Sequence, residues 1–128
     1  MTQRLMFPPT HRLKSPEDFK RVYDRKRSVS DAHLIVYACE NALPHARLGV
    51  SVSKKVGGAI VRNRFKRLFR EAFRLLQHEL PPGIDYVLIP KLPARDLGLE
   101  PIRESLLALA MQVSKKLKLD ERRAEVAP

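Results

Sequence analysis

The chain has 128 residues, 44% of them hydrophobic, and a formal net charge of +11 at pH 7, enough for one domain with a modest core and too few for two. So basic a chain calls for a polyanionic partner, nucleic acid first and an anionic membrane surface second. A single cysteine, Cys39, excludes a disulfide framework and a Cys-based zinc cluster; with no run of about 18 apolar residues and no signal-like start, neither a membrane span nor secretion is expected, and the expected compartment is the cytoplasm.

Residues 1–14 are basic and broken by Pro8 and Pro9, which predicts an arm with no helix or strand of its own. Ser15 has the character of an N-cap, with Pro16 at the first helical position and Asp18 three residues after the cap, so a short helix is predicted over 16–25. Phe19 and Tyr23 stand at i and i+4 on one face of it, with Val22 beside them. Residues 25–31 are polar and basic, a predicted loop; an extra short strand near the start of the chain is left open. Residues 33–40 are rich in β-branched and aromatic side chains and predict a strand, with Ile35 and Tyr37 on one face and Leu34 and Val36 on the other. After a turn containing Pro44, residues 47–53 alternate: Leu48, Val50 and Val52 face one way, and Gly49, Ser51 and Ser53 form a small-residue face with room for a partner's backbone.

Gly57 and Gly58 break that strand, and residues 59–80 have helical period. At about 100° per residue, Val61, Phe65, Leu68, Phe69, Ala72, Leu75 and Leu76 fall in one apolar arc. Arg62, Asn63, Lys66, Arg67, Arg70 and Arg74 gather opposite, and Arg64 stands alone near the other border. Within residues 54–74, eight Lys or Arg stand against one acid, Glu71. Pro81, Pro82 and Gly83 end the helix, residues 85–90 read as a short buried strand, and residues 91–98 as a loop. Pro101 can start a last helix, with Ile102, Leu106, Leu109, Ala110, Val113 and Leu117 in one stripe; beyond Leu119 the charged tail is expected to fray. The order helix, strand, strand, helix, strand, helix predicts an α+β sandwich, one sheet with its helices packed largely on one side. Residues 1–128 form a single domain in this reading, ordered over about 12–119 with a flexible arm and tail.

The chemistry-bearing residues point to binding. The acids are scattered among basic residues, mostly on surface segments, and no pair stands out. His11, His33, His45 and His78 sit in separate elements without metal-ligand spacing; Ser51 and Ser53 lack a nucleophile-elbow context; Gly57-Gly58 lacks the Lys-Ser/Thr end of a phosphate loop. No catalytic centre and no metal site is predicted. Arg62, Lys66 and Arg70, spaced at i, i+4 and i+8, would repel one another unless an anion intervened, and acids at i±4 are almost absent; this favours a nucleic-acid face over a solvated helix. Phe19, Tyr23 and Tyr37 are candidates for base stacking, although aromatics at i and i+4 are more often core.

The segment Lys54-Lys55-Val56-Gly57-Gly58-Ala59-Ile60-Val61-Arg62-Asn63-Arg64-Phe65-Lys66-Arg67-Leu68-Phe69-Arg70 closely resembles the signature of the bacterial ribonuclease P protein family. The likeness extends over about residues 12–117, through the Arg12-Leu13-Lys14 and Asp18-Phe19 opening and the three strands in family order. The resemblance implies a sheet of about four strands with three helices and an uncommon left-handed strand-helix-strand crossover. It implies an RNA-binding subunit of an endoribonuclease whose catalytic RNA, using Mg²⁺ mainly through RNA, removes the 5′ leader of precursor tRNA, with no catalytic residue and no tightly bound metal on the protein. It places the leader against Phe19, Tyr23, Ile35, Tyr37, Lys55 and Arg62. It places the catalytic RNA against Lys54, Asn63, Arg64, Lys66, Arg67, Arg70 and Arg74. Phe65, Gly58 and Tyr23 depart from the commonest pattern of the family. The competing readings are a ribosome-associated or general RNA-binding protein and a protein-only nuclease.

Overall fold

Ser15 opens helix α1 (Pro16–Asp24): its hydroxyl accepts from the Asp18 amide at 3.2 Å and Pro16 fills the first turn, as an N-cap followed by proline should. The computed structural model describes residues 7–94 and 96–126. Four strands form one sheet in the order β1-β2-β4-β3: β1 (Ser28–Ser30), β2 (Leu34–Glu40), β3 (Arg47–Val50) and β4 (Ile84–Pro90). β2 runs antiparallel to β1 and β4, while β3 is parallel to β4. Helix α2 (Ala59–Leu76) makes the β3-to-β4 crossover, and α3 (Leu99–Val126) closes the chain.

The strand alternation divides the sheet into two faces. Leu34, Val36 and Ala38 of β2, with Ile84, Tyr86 and Leu88 of β4, pack with Phe65, Phe69, Ala72, Phe73 and Leu76 of α2 and with the α3 stripe in the main core. Cys39 and Val87 face the other way and meet Leu13 and Val22, with Phe19, Tyr23, Tyr37 and Ile89 packed around them. The helices thus lie largely on one side, with the nine residues of α1 on the other.

Several boundaries differ from the sequence reading for identifiable reasons. The arm is not featureless among its described residues: Pro9–His11 form a 3-10 turn, Arg12 makes a parallel bridge to Leu48, and Phe7 tilts against Phe73 at 5.3 Å. Residues 1–6, the rest of the expected arm, lie outside the described residues. The loop expected over 25–31 contains β1, because Val29 is buried opposite Val36. The apolar arc of α2 is turned toward Phe73: Val61 is 42% and Ile60 85% exposed, since the first turn of the helix projects beyond the core that begins at Phe65. Helix α3 does not fray at Leu119 but continues to Val126. Asp120 explains this: it takes a hydrogen bond from Arg27 Nε at 2.7 Å and an ion pair from Arg25 Nη1 at 3.0 Å, and Arg25 also donates to Glu40 at 3.1 Å. Arg27 and Arg25, outweighing desolvation, pull the Asp120 carboxyl down to about 2.

The acids include one that is neither scattered nor superficial. Asp85 is fully buried at the start of β4. Arg47 donates through Nε to Oδ1 at 2.8 Å and through Nη2 to Oδ2 at 2.7 Å, Asn41 adds Nδ2 to Oδ1 at 2.8 Å, and Arg21 of α1 donates to Oδ2. Arg21 Nη1 also reaches the Glu40 carbonyl at 2.8 Å, and Arg47 approaches Asp18 of α1 at 3.8 Å. Burial alone would raise the Asp85 carboxyl, but the hydrogen bonds from Arg47 and Asn41 and the two guanidinium charges lower it below its ordinary value. The carboxylate therefore ties α1, β3 and β4 together at one end of the sheet.

A carboxyl whose folded pKa lies below its unfolded value stabilises the fold fully above about pH 4 and loses that contribution as pH falls through the folded value. Asp85→Asn leaves two guanidinium groups without their carboxylate and should cost about 3 kcal/mol in urea unfolding at pH 7. Its stability should also fall less steeply than that of the native chain on going from about pH 5 to pH 3.

Candidate nucleic-acid interface

The α1 side of the sheet carries a cleft whose floor is set by register. Tyr37 and Gly49 both lie opposite Val87, and Ile35 lies opposite Ile89, so β2, β4 and β3 present Tyr37, Val87 and Gly49 in one row. Phe19 fills the place of a side chain at Gly49: a Cβ there would sit 2.9 Å from Phe19 Cε1 and Cζ and from Leu13 Cδ1. The small face of β3 is thus occupied at Gly49 by the chain's own aromatic ring, not left open for a partner's backbone. Tyr23 meets Tyr37 edge-on with ring centroids 5.1 Å apart. All three rings are half-buried, each resting on the core and keeping part of its surface in solvent. They are both core and candidate stacking surface.

Ile35 and Ile89 lie together at the end of the sheet remote from Asp85. There Ser51 donates to the Leu88 carbonyl at 3.0 Å, and the chain leaves β3 into a 3-10 turn, Lys54–Val56, with Lys54 and Lys55 exposed. Gly57 follows with φ 154° and ψ −170°, a backbone state open almost only to glycine, and aims the chain into α2. Lys55 is therefore carried just beyond the Ile35–Ile89 end of the cleft. Arg62 is half-buried on the Phe65–Phe69 border of α2, not on its outer side, and its Nε is a buried donor with no acceptor among the described residues.

The outer side of α2 divides further. Asn63, Arg67 and Arg70 are exposed and Lys66 is half-buried. Among the described residues Arg67 and Arg70 have no ion pair or hydrogen-bonded partner. Arg64 turns instead to the β4–α3 loop, donating to Asp96 and to the Leu97 carbonyl at 3.3 Å. Arg74 is engaged by Glu71, with Nε to Oε2 at 3.0 Å and Nη2 to Oε1 at 2.6 Å, which holds the Glu71 carboxyl below its usual range. Two of the predicted RNA-facing arginines thus also serve the chain's own structure.

Sequence reasoning missed the contributions of Phe7, Arg12 and Ile89. The Arg12 guanidinium lies 4.4 Å from the Phe7 ring centroid and donates to the Phe7 carbonyl at 3.0 Å, which brings the arm onto α2. It also missed that His11 and His45 stack at 3.9 Å, with His78 lining the same small cavity; burial and the neighbouring His45 hold the His11 imidazole below its ordinary value. Among the described residues no group of three or more His, Cys, Asp or Glu is placed to hold a metal, and no helix is long and apolar enough to cross a membrane.

Fold and charge define a class: a small basic α+β protein offering partly exposed aromatic rings on one side of its sheet and uncompensated guanidinium groups on the other. The family model described as Ribonuclease P matches residues 7–114. The ribonuclease P protein component of Clostridioides difficile strain 630 is 40% identical over 101 residues, covering 78% of this chain and 89% of that one. The solved ribonuclease P protein of Staphylococcus aureus superposes with a TM-score of 0.69 at 38% identity, over 84% of this chain and 95% of that one. That of Thermotoga maritima gives 0.73 at 31%, over 80% and 96%. The chain belongs to the ribonuclease P protein family, and its role is that of a protein component of that enzyme.

Because Phe19 and Leu13 occupy the space a Cβ at Gly49 would need, Gly49→Ala should push α1 off the sheet and cost about 1–3 kcal/mol of stability in denaturant unfolding, with loss of Phe19 ring contacts to β3 by NMR. Gly98→Ala, where a Cβ meets nothing within 4 Å, should stay within about 0.5 kcal/mol of the native chain.

Proposed function

We propose that this chain is the non-catalytic, RNA-binding subunit of a ribonucleoprotein ribonuclease P, and that it holds the single-stranded 5′ leader of precursor tRNA in the α1 cleft while α2 docks on the catalytic RNA. The observation that carries this reading is the group of half-exposed rings, Phe19, Tyr23 and Tyr37, in a cleft beyond whose Ile35–Ile89 end stand the exposed Lys54 and Lys55. Single-stranded RNA is held by such a combination, its bases stacked on aromatic faces and its phosphates drawn along a positive track. Ile35 adds apolar surface at that end of the cleft. Lys55, exposed just past that end, would meet phosphates leaving it; Arg62, assigned to the same strand by family likeness, is half-buried on α2, so only the outer part of its guanidinium could reach one.

On the other side Lys54, Asn63, Lys66, Arg67 and Arg70 present donors to an RNA backbone. Arg64 and Arg74 join them with part of their donor capacity already used. Arginine forks onto phosphate oxygens and displaces counterions, so this surface supplies salt-dependent affinity without doing chemistry. Among the described carboxylates, Asp85 is saturated by Arg21, Arg47 and Asn41, and Glu40, Asp96 and Asp120 pair with arginines, so these four are engaged in holding the fold. In this reading Mg²⁺ is held by RNA oxygens, the hard ligands it prefers, in the cytoplasm where precursor tRNA is made.

Reconstitution with the catalytic RNA at low Mg²⁺ tests the proposal. The chain should stimulate cleavage of precursor tRNA bearing a leader, and Tyr37→Ala should weaken binding of that substrate about tenfold or more while sparing mature tRNA, in line with the worth of one stacked base. Absence of stimulation, or equal losses on both tRNAs, contradicts it.

A further inference from the structure

Beside the arm, on the side of the sheet away from α1, an open concavity of about 600 Å³ lies between Phe7 and Arg12 of the arm and Arg67, Leu68, Arg70 and Glu71 of α2. Its composition is not that of a plain phosphate patch. Phe7 and Leu68 give it apolar surface, and the Arg12 guanidinium, a planar cation, stacks over the Phe7 ring. Two exposed arginines without intramolecular partners among the described residues, Arg67 and Arg70, stand at its edge. In their midst is a carboxylate, Glu71, whose side chain is 43% exposed. A polyanion bound by charge alone would make no use of that carboxylate. A ligand that carries an anion at one end and a flat ring edged with N–H donors at the other would use every group.

Glu71 narrows the ligand further. Arg74 occupies one acceptor site of each carboxylate oxygen, Nη2 on Oε1 and Nε on Oε2, which leaves each with acceptor capacity to spare. Arg74 also keeps the group ionised and therefore an acceptor only. Guanine presents N1–H and N2–H₂ side by side on its Watson–Crick edge and can engage both oxygens of a carboxylate at once, whereas uracil offers one N–H between two carbonyls that a carboxylate repels. We propose that this concavity holds one unstacked guanine nucleotide of an RNA strand, its base against Phe7, Arg12 and Leu68, its N–H edge on Glu71 and its phosphate on Arg67 and Arg70. The inference rests on the proposed docking of α2 on the catalytic RNA and deepens it: one contact there reads a base.

The test uses the full chain with labelled leucine methyl and phenylalanine ring positions, titrated with 5′-GMP, 5′-UMP and inorganic phosphate and followed by NMR. GMP should move the Leu68 and Phe7 signals and bind about tenfold more tightly than UMP, the discrimination of one good bidentate contact. Glu71→Gln should lose the preference while Tyr23 and Tyr37 signals stay in place. Saturating GMP should also weaken binding of the catalytic RNA to the native chain. Phosphate and GMP acting with the same midpoint, or GMP moving only the Tyr23 and Tyr37 signals, would overturn the site. GMP that binds there without competing with the catalytic RNA would overturn its assignment to an RNA strand. Precursor-tRNA cleavage that is stimulated normally while GMP fails to bind sinks this inference alone; failure to bind the catalytic RNA at all sinks the function proposed above.

Discussion

The carboxylate of Asp85 holds the architecture of the α1 cleft. It is buried at the head of β4, and its two oxygens are shared among Arg21 of α1, Arg47 of β3 and Asn41 from the turn between β2 and β3. A buried carboxylate is tolerated only when its charge and lone pairs are matched, and removing one partner costs far more than the assembled cluster contributes. Such a cluster fixes geometry. α1 is a helix of only nine residues, too short to be stable alone, and its position over the sheet is set by this polar anchor at one end and by Phe19 against Gly49 further along. Phe19, Tyr23 and Tyr37 keep their relative places because the anchor does.

The two sides of the sheet divide the labour between aromatic surface and charge. On the α1 side the rings are pinned by packing, and the lysines stand just past the end of the cleft. On the α2 side the long core face of the helix leaves its outer surface free to carry cations at a density that folding alone would not favour. Neighbouring like charges on a helix destabilise it slightly, so the fold carries a standing cost that an RNA backbone would relieve. The Arg25–Arg27–Asp120–Glu40 cluster plays a different part, clamping the far end of α3 to the start of the sheet.

Much of this was legible in the residues, and the gaps have physical causes. The α3 stripe from Ile102 to Leu117 is buried as its period predicts, because a helix that packs on one sheet face along its length shows an unbroken apolar repeat. The opposed faces of β2 followed from strict alternation. Val61 was included in the core arc and Phe73 left out of it because the angular arc of a helix says nothing about where along the axis the sheet ends or from which side it is approached. The continuation of α3 past Leu119 depended on Asp120 meeting Arg25 and Arg27, more than 90 positions away in sequence, and Asp85 read as one more acid because its three partners lie 38, 44 and 64 positions from it. Of the site, Phe19 and Tyr23 were visible by their helical spacing, and the cations of α2 by their density. Tyr37 joins them through pairing register, and the roles assigned to individual arginines came from family resemblance. That Arg64 and Arg74 also serve internal ion pairs could be read only from the fold.

In the proposed function one small domain holds two RNAs on two sides of a single sheet. Site-specific photo-crosslinking in the reconstituted particle tests it most directly, with a photoreactive side chain placed at position 37 in one preparation and at position 67 in another. Position 37 should crosslink to the leader of precursor tRNA and position 67 to the catalytic RNA. Crosslinks from both positions to the same RNA, or from position 37 to mature tRNA as strongly as to the leader, would contradict it.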